Sequence, residues 1–308
     1  MTTENRINLF LFIFLACLWS GSFIGIKAVV ESWPPLFSAM VRVAIALVAV
    51  AVIFAVMQKK VAVPFSLRWK IWMIGLFAQA FPFALLFWGE RLISPGLAGI
   101  LNGTVPLWTY IFSLFLLPGQ TSFSSSKTIG LLIGMVGIAI IFWPLISFDQ
   151  HAGTITGAYA ILIMAISYAI ANVLNQYFLQ GKSRIDFFAN IYHQHWSSLI
   201  LLLVLSLSFE SWPGVSALKM AYIPWVVSAY LGVFSTATAF LIYYHLIREW
   251  DGLRASTVLY LIPAITLVLD YFIYATAARW SEIIGITVIL ASIAMIQWEN
   301  IKMELRKK

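Results

Sequence analysis

The sequence predicts an all-α polytopic membrane protein, with ten transmembrane helices arranged as two inverted five-helix repeats around a central cavity. Three observations support this class. Hydrophobic residues make up 62% of the 308 residues and charged residues only 10%, whereas soluble domains average about 25% charged residues. Apolar stretches of spanning length follow one another along the whole chain, and the second half repeats sequence features of the first.

Ten segments have the length and apolarity of a membrane-spanning helix. A helix needs about 20 predominantly apolar residues to cross a bilayer. The predicted spans are residues 8–27, 36–57, 70–88, 96–117, 128–147, 155–178, 187–208, 222–245, 253–274 and 280–298. The connections between them are short, so we expect no soluble domain.

The distribution of lysine and arginine sets the expected orientation, because cytoplasmic loops are enriched in these residues. With the N-terminus inside, the inner segments hold fourteen basic residues, namely Arg6, Lys59, Lys60, Arg68, Lys70, Lys127, Lys182, Arg184, Arg248, Arg254, Lys302, Arg306, Lys307 and Lys308. The outer segments hold four, namely Lys27, Arg91, Lys219 and Arg279. We therefore expect an integral protein of a bacterial plasma (inner) membrane, with both termini in the cytoplasm. The formal charge of +7 then reflects topology rather than nucleic-acid binding.

The chain contains an internal repeat, which is visible when the sequence is shifted by 157 residues. The identical pairs in this register are Gly75 with Gly232, Phe77 with Phe234, Phe83 with Phe240, Arg91 with Arg248, Ala98 with Ala255, Pro106 with Pro263, and Phe115 with Phe272. Near the N-terminus a shift of 149 residues works better, and it pairs Trp19 with Tyr168, Phe23 with Asn172, and Lys27 with Gln176. We therefore predict two halves, residues 1–148 and 152–308, with five spans each.

An odd number of spans in each half gives the two halves opposite orientations in the membrane. Inverted repeats are typical of secondary transporters, which hold the substrate near the midplane between the halves and work by alternating access. The alternative interpretation is a gene duplication that was retained for packing alone.

Four stretches of the sequence resemble the EamA-type members of the drug/metabolite transporter superfamily. They are LWSGSFIGIK in the first span, PPLFSAMVRVAIA in the second, GLAGILNGTVPLWT in the fourth, and LGVFSTATAFLIYYHLIREWDGLRASTVLYLIPAITLVLDYF in the eighth and ninth. The resemblance covers nearly the whole chain. It implies that spans 1, 3, 4, 6, 8 and 9 surround the cavity and that spans 5 and 10 lie at the periphery. It leaves the substrate open among amino acids, other metabolites and toxic compounds.

The first span carries candidate cavity residues at helical spacing. Trp19, Phe23 and Lys27 follow one another every four residues and share one face of a helix. One interpretation is a cavity wall with the lysine at its outer mouth. The alternative is a packing interface, with Lys27 reaching the outer headgroups.

The sixth span carries a polar stripe in the corresponding place, formed by Tyr168, Asn172, Asn175 and Gln176. Amides in a bilayer are costly unless they meet water or a partner. The stripe therefore indicates either a hydrated pocket or interhelical hydrogen bonds. The predicted cavity set is completed by four residues on spans that line the cavity in the family, namely Asn102, Trp108, Tyr243 and Tyr260.

Arg42 lies inside the second span, and an intramembrane charge is a functional hypothesis by default. It can attract a carboxylate or phosphate, cap backbone carbonyls, or pair with an acid such as Glu31 or Glu90. Gln194 takes its place in the seventh span of the repeat. In the family this arginine occurs whatever the substrate, which favours a structural role.

Three further residues are candidates for motion or coupling. Pro106 and Pro263 occupy equivalent points of spans 4 and 9, where a missing backbone donor kinks a helix. These kinks can serve gating, or they can be fixed bends. Asp270 is the acid that the predicted spans place deepest in a helix. It either couples export to protons or lies at the headgroups and pairs with Arg279.

Secondary transport is the leading functional hypothesis, with efflux of an amino acid or a similar small metabolite. Drug efflux and sugar-phosphate or nucleotide-sugar exchange are alternatives, although the latter needs several basic cavity residues and only Lys27 and Arg42 qualify. An intramembrane enzyme is the alternative from another class. Because the sequence shows no paired aspartates within spans, no His-Glu metal motif and no serine-centred elbow, we expect no enzyme activity.

The expected partners are a small-molecule substrate and membrane lipids, with proton coupling as an open hypothesis. We expect no nucleic acid and no cofactor. We also expect no metal, because the i, i+2 spacing of His193 and His195 puts them on different faces of a helix. The oligomeric state is expected to be a monomer or a homodimer.

Overall fold

The structure is a computed structural model that describes residues 3–117, 120–121, 123–143, 152–180, 185–214, 218, 222–262, 264–265 and 280–306. Every element assigned within these ranges is an α-helix or a π-helical segment. The predicted all-α class is therefore confirmed.

The helices before residue 150 follow the predicted spans closely. They are α1 (Thr3–Ser20), α2 (Ser22–Val30), α3 (Pro35–Val56), α4 (Phe65–Gly75), α5 (Phe81–Leu92), α6 (Pro95–Asn102), α7 (Val105–Leu116) and α8 (Ser125–Phe142). A π-helical segment, Leu76–Ala80, joins α4 to α5. The first predicted span is thus two helices, which are separated at Gly21.

Further helices follow after residue 150. They are α9 (Ala152–Gln180), α10 (Phe187–Phe209), α11 (Tyr222–Gly232), α12 (Ala239–Glu249), α13 (Gly252–Ser256) and α14 (Trp280–Arg306). A second π-helical segment, Val233–Thr238, joins α11 to α12.

Six helical stretches among the described residues are long and apolar enough to cross a membrane. They are Asn5–Val30, Pro35–Val56, Phe65–Leu92, Leu97–Leu116, Gly153–Gln180 and Tyr222–Glu249. Shorter apolar helices cover Ser125–Ile141, Gly252–Ile262 and Trp280–Ile296. These lengths and compositions agree with a polytopic membrane protein, while the full count of ten spans and their inverted order stay predictions.

The third span is longer than predicted. The sequence placed it at 70–88. The helical stretch instead runs over Phe65–Leu92, and the Glu90 side chain is 0% exposed. A spanning helix can include a charged residue when neighbouring helices cover that residue. The sequence of one span does not show whether its neighbours do so.

The two π-helical segments occupy equivalent places in the repeat. The shift of 157 residues that aligns the two halves carries residue 76 onto residue 233, so Leu76–Ala80 falls within Val233–Thr238. Each segment directly follows a glycine of the repeat, Gly75 or Gly232. Single-turn π-bulges inside α-helices are frequent at functional sites.

Both glycines lie against a helix of the other half. A Cβ atom added to Gly75 would come within 2.8 Å of the Cα and carbonyl oxygen of Gln194 on α10, and one added to Gly232 would come within 2.9 Å of the carbonyl oxygen of Arg42 on α3. Gln194 and Arg42 are the residues that the repeat places in corresponding positions of spans 7 and 2. The halves therefore meet through a reciprocal pair of close helix contacts.

The buried side chains form two hydrophobic clusters. The larger one joins α1, α2, α3, α5 and α6 to α9, α10, α11, α12 and α13. The smaller one includes Leu131 and Ile138 of α8, Ile289 and Ile296 of α14, and Tyr260. Helices α8 and α14 approach closely at Gly137, where an added Cβ would lie 3.0 Å from the carbonyl oxygen of Gly285. These two helices thus pack mainly on each other, beside the larger bundle.

Candidate functional site: a cavity between the two halves

A cavity lies between helices of both halves. The space open to water is about 60 Å³, which is room for a few water molecules. Its lining comes from predicted spans 1, 2, 3, 4, 6, 8 and 9, and consists of Trp19, Ser22, Phe23, Ile26, Arg42, Ala78, Phe83, Leu86, Asn102, Val105, Tyr168, Ala171, Asn172, Phe240, Tyr243, Tyr244, Leu259 and Ile262.

Aromatic side chains form one wall of this cavity. The ring of Trp19 meets Tyr243 edge-on at a centroid distance of 5.1 Å and Phe240 at 6.3 Å. Phe240 in turn meets Phe83 at 6.3 Å and Tyr244 at 5.4 Å. Edge-to-face contacts of this kind hold the rings in defined orientations. The wall therefore offers a rigid apolar surface with ring edges and faces toward the cavity.

Arg42 lies in the lining and is only 3% exposed. Its Nε donates to Oγ1 of Thr236 at 2.7 Å, and its Nη2 donates to the carbonyl oxygen of Ser235 at 3.2 Å. The guanidinium also lies over the ring of Phe83, at 4.3 Å from its centroid. The π-helical segment of the second half thus fixes the arginine of the first half.

Two polar atoms of the lining keep unused hydrogen-bonding capacity. Nη1 of Arg42 and Oγ of Ser22 are buried and have no hydrogen-bond partner among the described residues. Both residues line the cavity. Buried donors without partners are costly, and a carboxylate or phosphate would satisfy both through charge-assisted hydrogen bonds.

The predicted polar stripe of span 6 divides between the cavity and the packing. Tyr168 and Asn172 line the cavity together with Asn102 of span 4. Nδ2 of Asn172 donates to Oγ1 of Thr109 at 3.2 Å, which ties α9 to α7. Asn102, Tyr168 and Asn172 therefore add two amides and one phenol hydroxyl to the cavity lining.

Asn175 belongs instead to a buried network of amides. Its Oδ1 accepts from Nδ2 of Asn190 and from Nε2 of Gln194, both at 2.9 Å. The hydroxyl of Tyr244 donates to Oε1 of Gln194 at 2.6 Å. The network joins α9, α10 and α12 and satisfies its amides internally, so Asn175 contacts neighbouring helices rather than the cavity.

Three other predicted cavity residues also lie outside the lining. Oε1 of Gln176 accepts from the backbone N–H of Gly252 at 2.8 Å, which fastens the start of α13. Trp108 stacks on the ring one turn further along α7. The hydroxyl of Tyr260 donates to the carbonyl oxygen of Leu131 on α8 at 3.0 Å. The side chains of Gln176 and Tyr260 therefore bind neighbouring helices, whereas Trp108 packs on a ring of its own helix.

The candidates for charge and motion have distinct placements. Lys27 is half-buried, and its Nζ donates to the backbone carbonyl oxygen of Glu90 at 2.9 Å. Pro106 lies in the first turn of α7, where its missing N–H removes no intrahelical hydrogen bond. The helix is interrupted at Gly103 and Thr104, directly before this proline. Pro263 and Asp270 lie outside the described residues.

Several lining residues were not predicted from the sequence as cavity residues. Phe83 and Phe240 were noticed only as an identical pair in the repeat, and that pairing was the signal that could have found them. Ser22 was one of several small residues in the first span, and Tyr244 was one of two adjacent tyrosines. The sequence gives no direct sign of which of these faces the cavity.

A bundle of apolar helices around a cavity with polar groups in its lining is typical of integral membrane transporters. The chain belongs to the EamA-like transporter family, whose sequence model matches residues 6–143 and again residues 155–298. The resemblance to the drug/metabolite transporter superfamily is therefore confirmed over nearly the whole chain.

Two of three relatives of similar length carry transporter names. The chain is 24% identical to "Uncharacterized transporter YoaV" of Bacillus subtilis (strain 168), over 90% of this chain and 92% of the relative. It is 26% identical to "Protein PagO" of Salmonella typhimurium, over 87% and 85%. It is 25% identical to "Uncharacterized inner membrane transporter YedA" of Escherichia coli (strain K12), over 92% and 88%.

A solved structure described as "Crystal structure of protein" shares the fold. It matches this chain with a TM-score of 0.76 at 19% sequence identity, and the match covers 94% of this chain and 97% of the other. This similarity shows that the two proteins share the arrangement of their helices.

Proposed function

We propose that this protein is a secondary transporter that exports amino acids or similar small carboxylate-bearing metabolites by alternating access. The observation that carries the proposal is the guanidinium of Arg42, which lines the cavity with Nη1 free of partners among the described residues. A substrate carboxylate placed there would accept hydrogen bonds from Arg42 and Ser22. The amides and the aromatic wall would contact the rest of the substrate.

The proposed membrane is a bacterial plasma (inner) membrane, with both termini in the cytoplasm. The excess of lysine and arginine in the predicted inner segments supports this orientation. The proposed halves are 1–148 and 152–308, and the two matched ranges of the family support that division. The equivalent π-helical segments and the reciprocal glycine contacts support an inverted pair that exchanges conformations during transport.

Drug efflux is a second candidate, because five aromatic residues of the lining touch one another around Trp19 and Phe240. Aromatic faces bind organic cations, although the nearby charge of Arg42 opposes this. Sugar-phosphate exchange has less support, since Arg42 is the one cationic residue in the described lining. The three candidates differ in the charge of the substrate, and that difference is measurable.

The first test is counterflow in proteoliposomes that contain the purified protein and a mixture of labelled amino acids. We expect saturable exchange, competition by unlabelled amino acids, and no competition by the corresponding amino-acid amides. Competition by amides as strong as by the acids would overturn the carboxylate assignment. Exchange of a lipophilic organic cation without exchange of amino acids would replace the proposal with drug efflux.

Ser22→Ala is the sharpest variant for this test, because it removes one unpartnered cavity hydroxyl and little volume. We expect it to weaken substrate binding by about fivefold, as the loss of about 1 kcal/mol for one hydrogen bond implies. Ser20→Ala is the matched control, since Oγ of Ser20 donates to the carbonyl of Cys17 at 2.8 Å within the helix. Equal effects of both substitutions would argue against a substrate contact at Ser22.

A further inference from the structure

The carboxyl group of Glu90 is buried and has no hydrogen-bond partner among the described residues. Its side chain is 0% exposed, and neither Oε1 nor Oε2 has a partner in the described part of the chain. An ionised carboxylate in such surroundings is costly unless a charge compensates it. The residue lies one turn beyond Leu86, which lines the cavity, and it is not itself part of the lining.

The guanidinium of Arg42 lies over the face of α5 that also carries Glu90. Phe83, Phe87 and Glu90 follow the i, i+4, i+7 spacing of one stripe along α5. The guanidinium of Arg42 lies 4.3 Å from the ring centroid of Phe83 and 5.9 Å from that of Phe87. Glu90 is three residues further on, about 4.5 Å along the helix axis. The carboxyl group thus lies within electrostatic reach of the arginine.

Lys27 is the second cation that acts on Glu90. Its Nζ binds the backbone carbonyl of Glu90 rather than the carboxyl group. Helix α9 packs against α5 at Gly89, through Gly157 and Ile161. Neither of these two residues titrates. Tyr168 lies further along α9 and interacts with Arg42. The described part of α6 carries no charged residue, and Arg91 beside Glu90 is exposed. The charged residues at this place are therefore Lys27, Arg42 and Glu90.

We propose that Glu90 is a proton-binding site linked to an anion site at Arg42, so that the protein binds one proton together with its anionic substrate. The inference rests on the proposed function for the identity of the anion. Ionised Glu90 offsets part of the positive charge of Arg42 and weakens its hold on a carboxylate. Protonation, in which one Glu90 oxygen takes a proton from water, removes that offset. Linkage is reciprocal, so bound anion equally favours the protonated carboxyl.

The linkage determines the direction in which protons move relative to the substrate. Substrate and proton move in the same direction, and an exporter that works this way is driven by the outward substrate gradient. Acidification of the outside then slows net export, because it favours the return of proton and anion together. A transporter that exchanged protons for substrate would respond in the opposite way.

The test uses proteoliposomes with a pH-sensitive dye inside and a labelled amino acid that the wild-type protein exchanges. Substrate and proton fluxes are recorded together for the wild type, Glu90→Gln, Glu90→Asp and Glu31→Gln. Glu31→Gln is the matched control, because Glu31 is an exposed acid at the end of α2. Elution of each variant as a single monodisperse peak excludes misfolding.

We expect the wild type and Glu31→Gln to move protons in the direction of the substrate. We expect Glu90→Gln to lose the proton flux, and whatever substrate flux remains should no longer depend on pH. Glu90→Asp should restore a proton flux. The pH dependence of substrate affinity in the wild type should span about 5-fold to 150-fold, the usual range of coupling between two sites.

Two outcomes would overturn the inference. Proton flux in Glu90→Gln equal to that of the wild type would remove Glu90 from coupling. Wild-type substrate flux without proton movement would remove the linkage itself while leaving the transport function in place. The absence of flux for every amino acid would contradict the proposed function instead. In that case infrared spectra of the purified protein still test Glu90, through a protonated-carboxyl band present in the wild type and absent from Glu90→Gln.

Discussion

Nε of Arg42 donates a hydrogen bond to Oγ1 of Thr236 over 2.7 Å. The bond connects α3 with the π-helical segment Val233–Thr238, and the carbonyl of Ser235 in the same segment accepts from Nη2 of the arginine. A charged side chain in an apolar bundle needs such partners. The one remaining nitrogen, Nη1, is buried and has no hydrogen-bond partner among the described residues. The same arginine therefore has a structural part and an open part.

Thr236→Val removes one of the two hydrogen bonds that hold Arg42, the bond to Oγ1, and preserves the shape of the side chain. We expect the free energy of unfolding to fall by about 1–3 kcal/mol, because a buried charged donor loses its partner. Unfolding by sodium dodecyl sulfate, followed by the change in helicity of the purified protein, measures the effect. Thr238→Val is the control, since Oγ1 of Thr238 donates only to the carbonyl of Val233 in its own helix. Equal losses for both variants would contradict the importance of the Arg42 bond.

The substitutions Asn172→Ala and Asn175→Ala should have different main effects, one on transport and the other on stability. Asn172 lines the cavity, so its truncation should weaken substrate exchange by about tenfold, as a lost polar contact of about 1.4 kcal/mol implies. Asn175 accepts two hydrogen bonds in the amide network, so its truncation should chiefly lower stability.

Thr109→Val is the control for the Asn172 experiment, because it removes the partner of the Asn172 amide without changing the lining. Initial rates of counterflow and the detergent unfolding midpoint are measured for all three variants. If Asn175→Ala reduced exchange at unchanged stability more than Asn172→Ala does, the assignment of the two amides would be reversed.

The glycines of the repeat should not tolerate a methyl group. Gly75→Ala would drive a Cβ into the backbone of Gln194, and Gly232→Ala would drive one into the carbonyl oxygen of Arg42. We expect each to reduce stability by about 1–3 kcal/mol, the usual cost of overpacking. Gly153→Ala is the control, because the nearest heavy atom to its added Cβ lies 4.0 Å away. Yield and melting temperature of the three purified variants provide the readout.

The predicted orientation can be tested with single cysteines in a Cys17→Ser background. Glu31 and Lys60 are both exposed and flank α3 on opposite ends. We expect a membrane-impermeant maleimide to label Glu31→Cys in intact cells and to label Lys60→Cys only after the cells are opened. Labelling of Lys60→Cys alone in intact cells would invert the orientation and place the termini outside.

Some features of this protein follow from the sequence alone, whereas others depend on how the helices pack. Apolar length and the repeat predicted the helical class, because hydrophobicity along a single helix is a local property. The repeat identified Gly75 with Gly232, and Phe83 with Phe240, as identical pairs, but it did not predict what surrounds them. Arg42 and Trp19 were identified as unusual from their residue type and position, and both line the cavity.

The sequence by itself determined that this chain is a helical membrane protein, with one costly arginine and a polar stripe in its sixth span. Only the tertiary structure decided that Asn172 faces the cavity while Asn175 and Gln176 bind neighbouring helices. It also decided that Glu90 is buried within a span. The physical reason is that lipid and protein interior are both apolar, so a membrane helix shows little contrast between the face that meets lipid and the face that packs. Which polar side chain meets the cavity depends on the neighbouring helices.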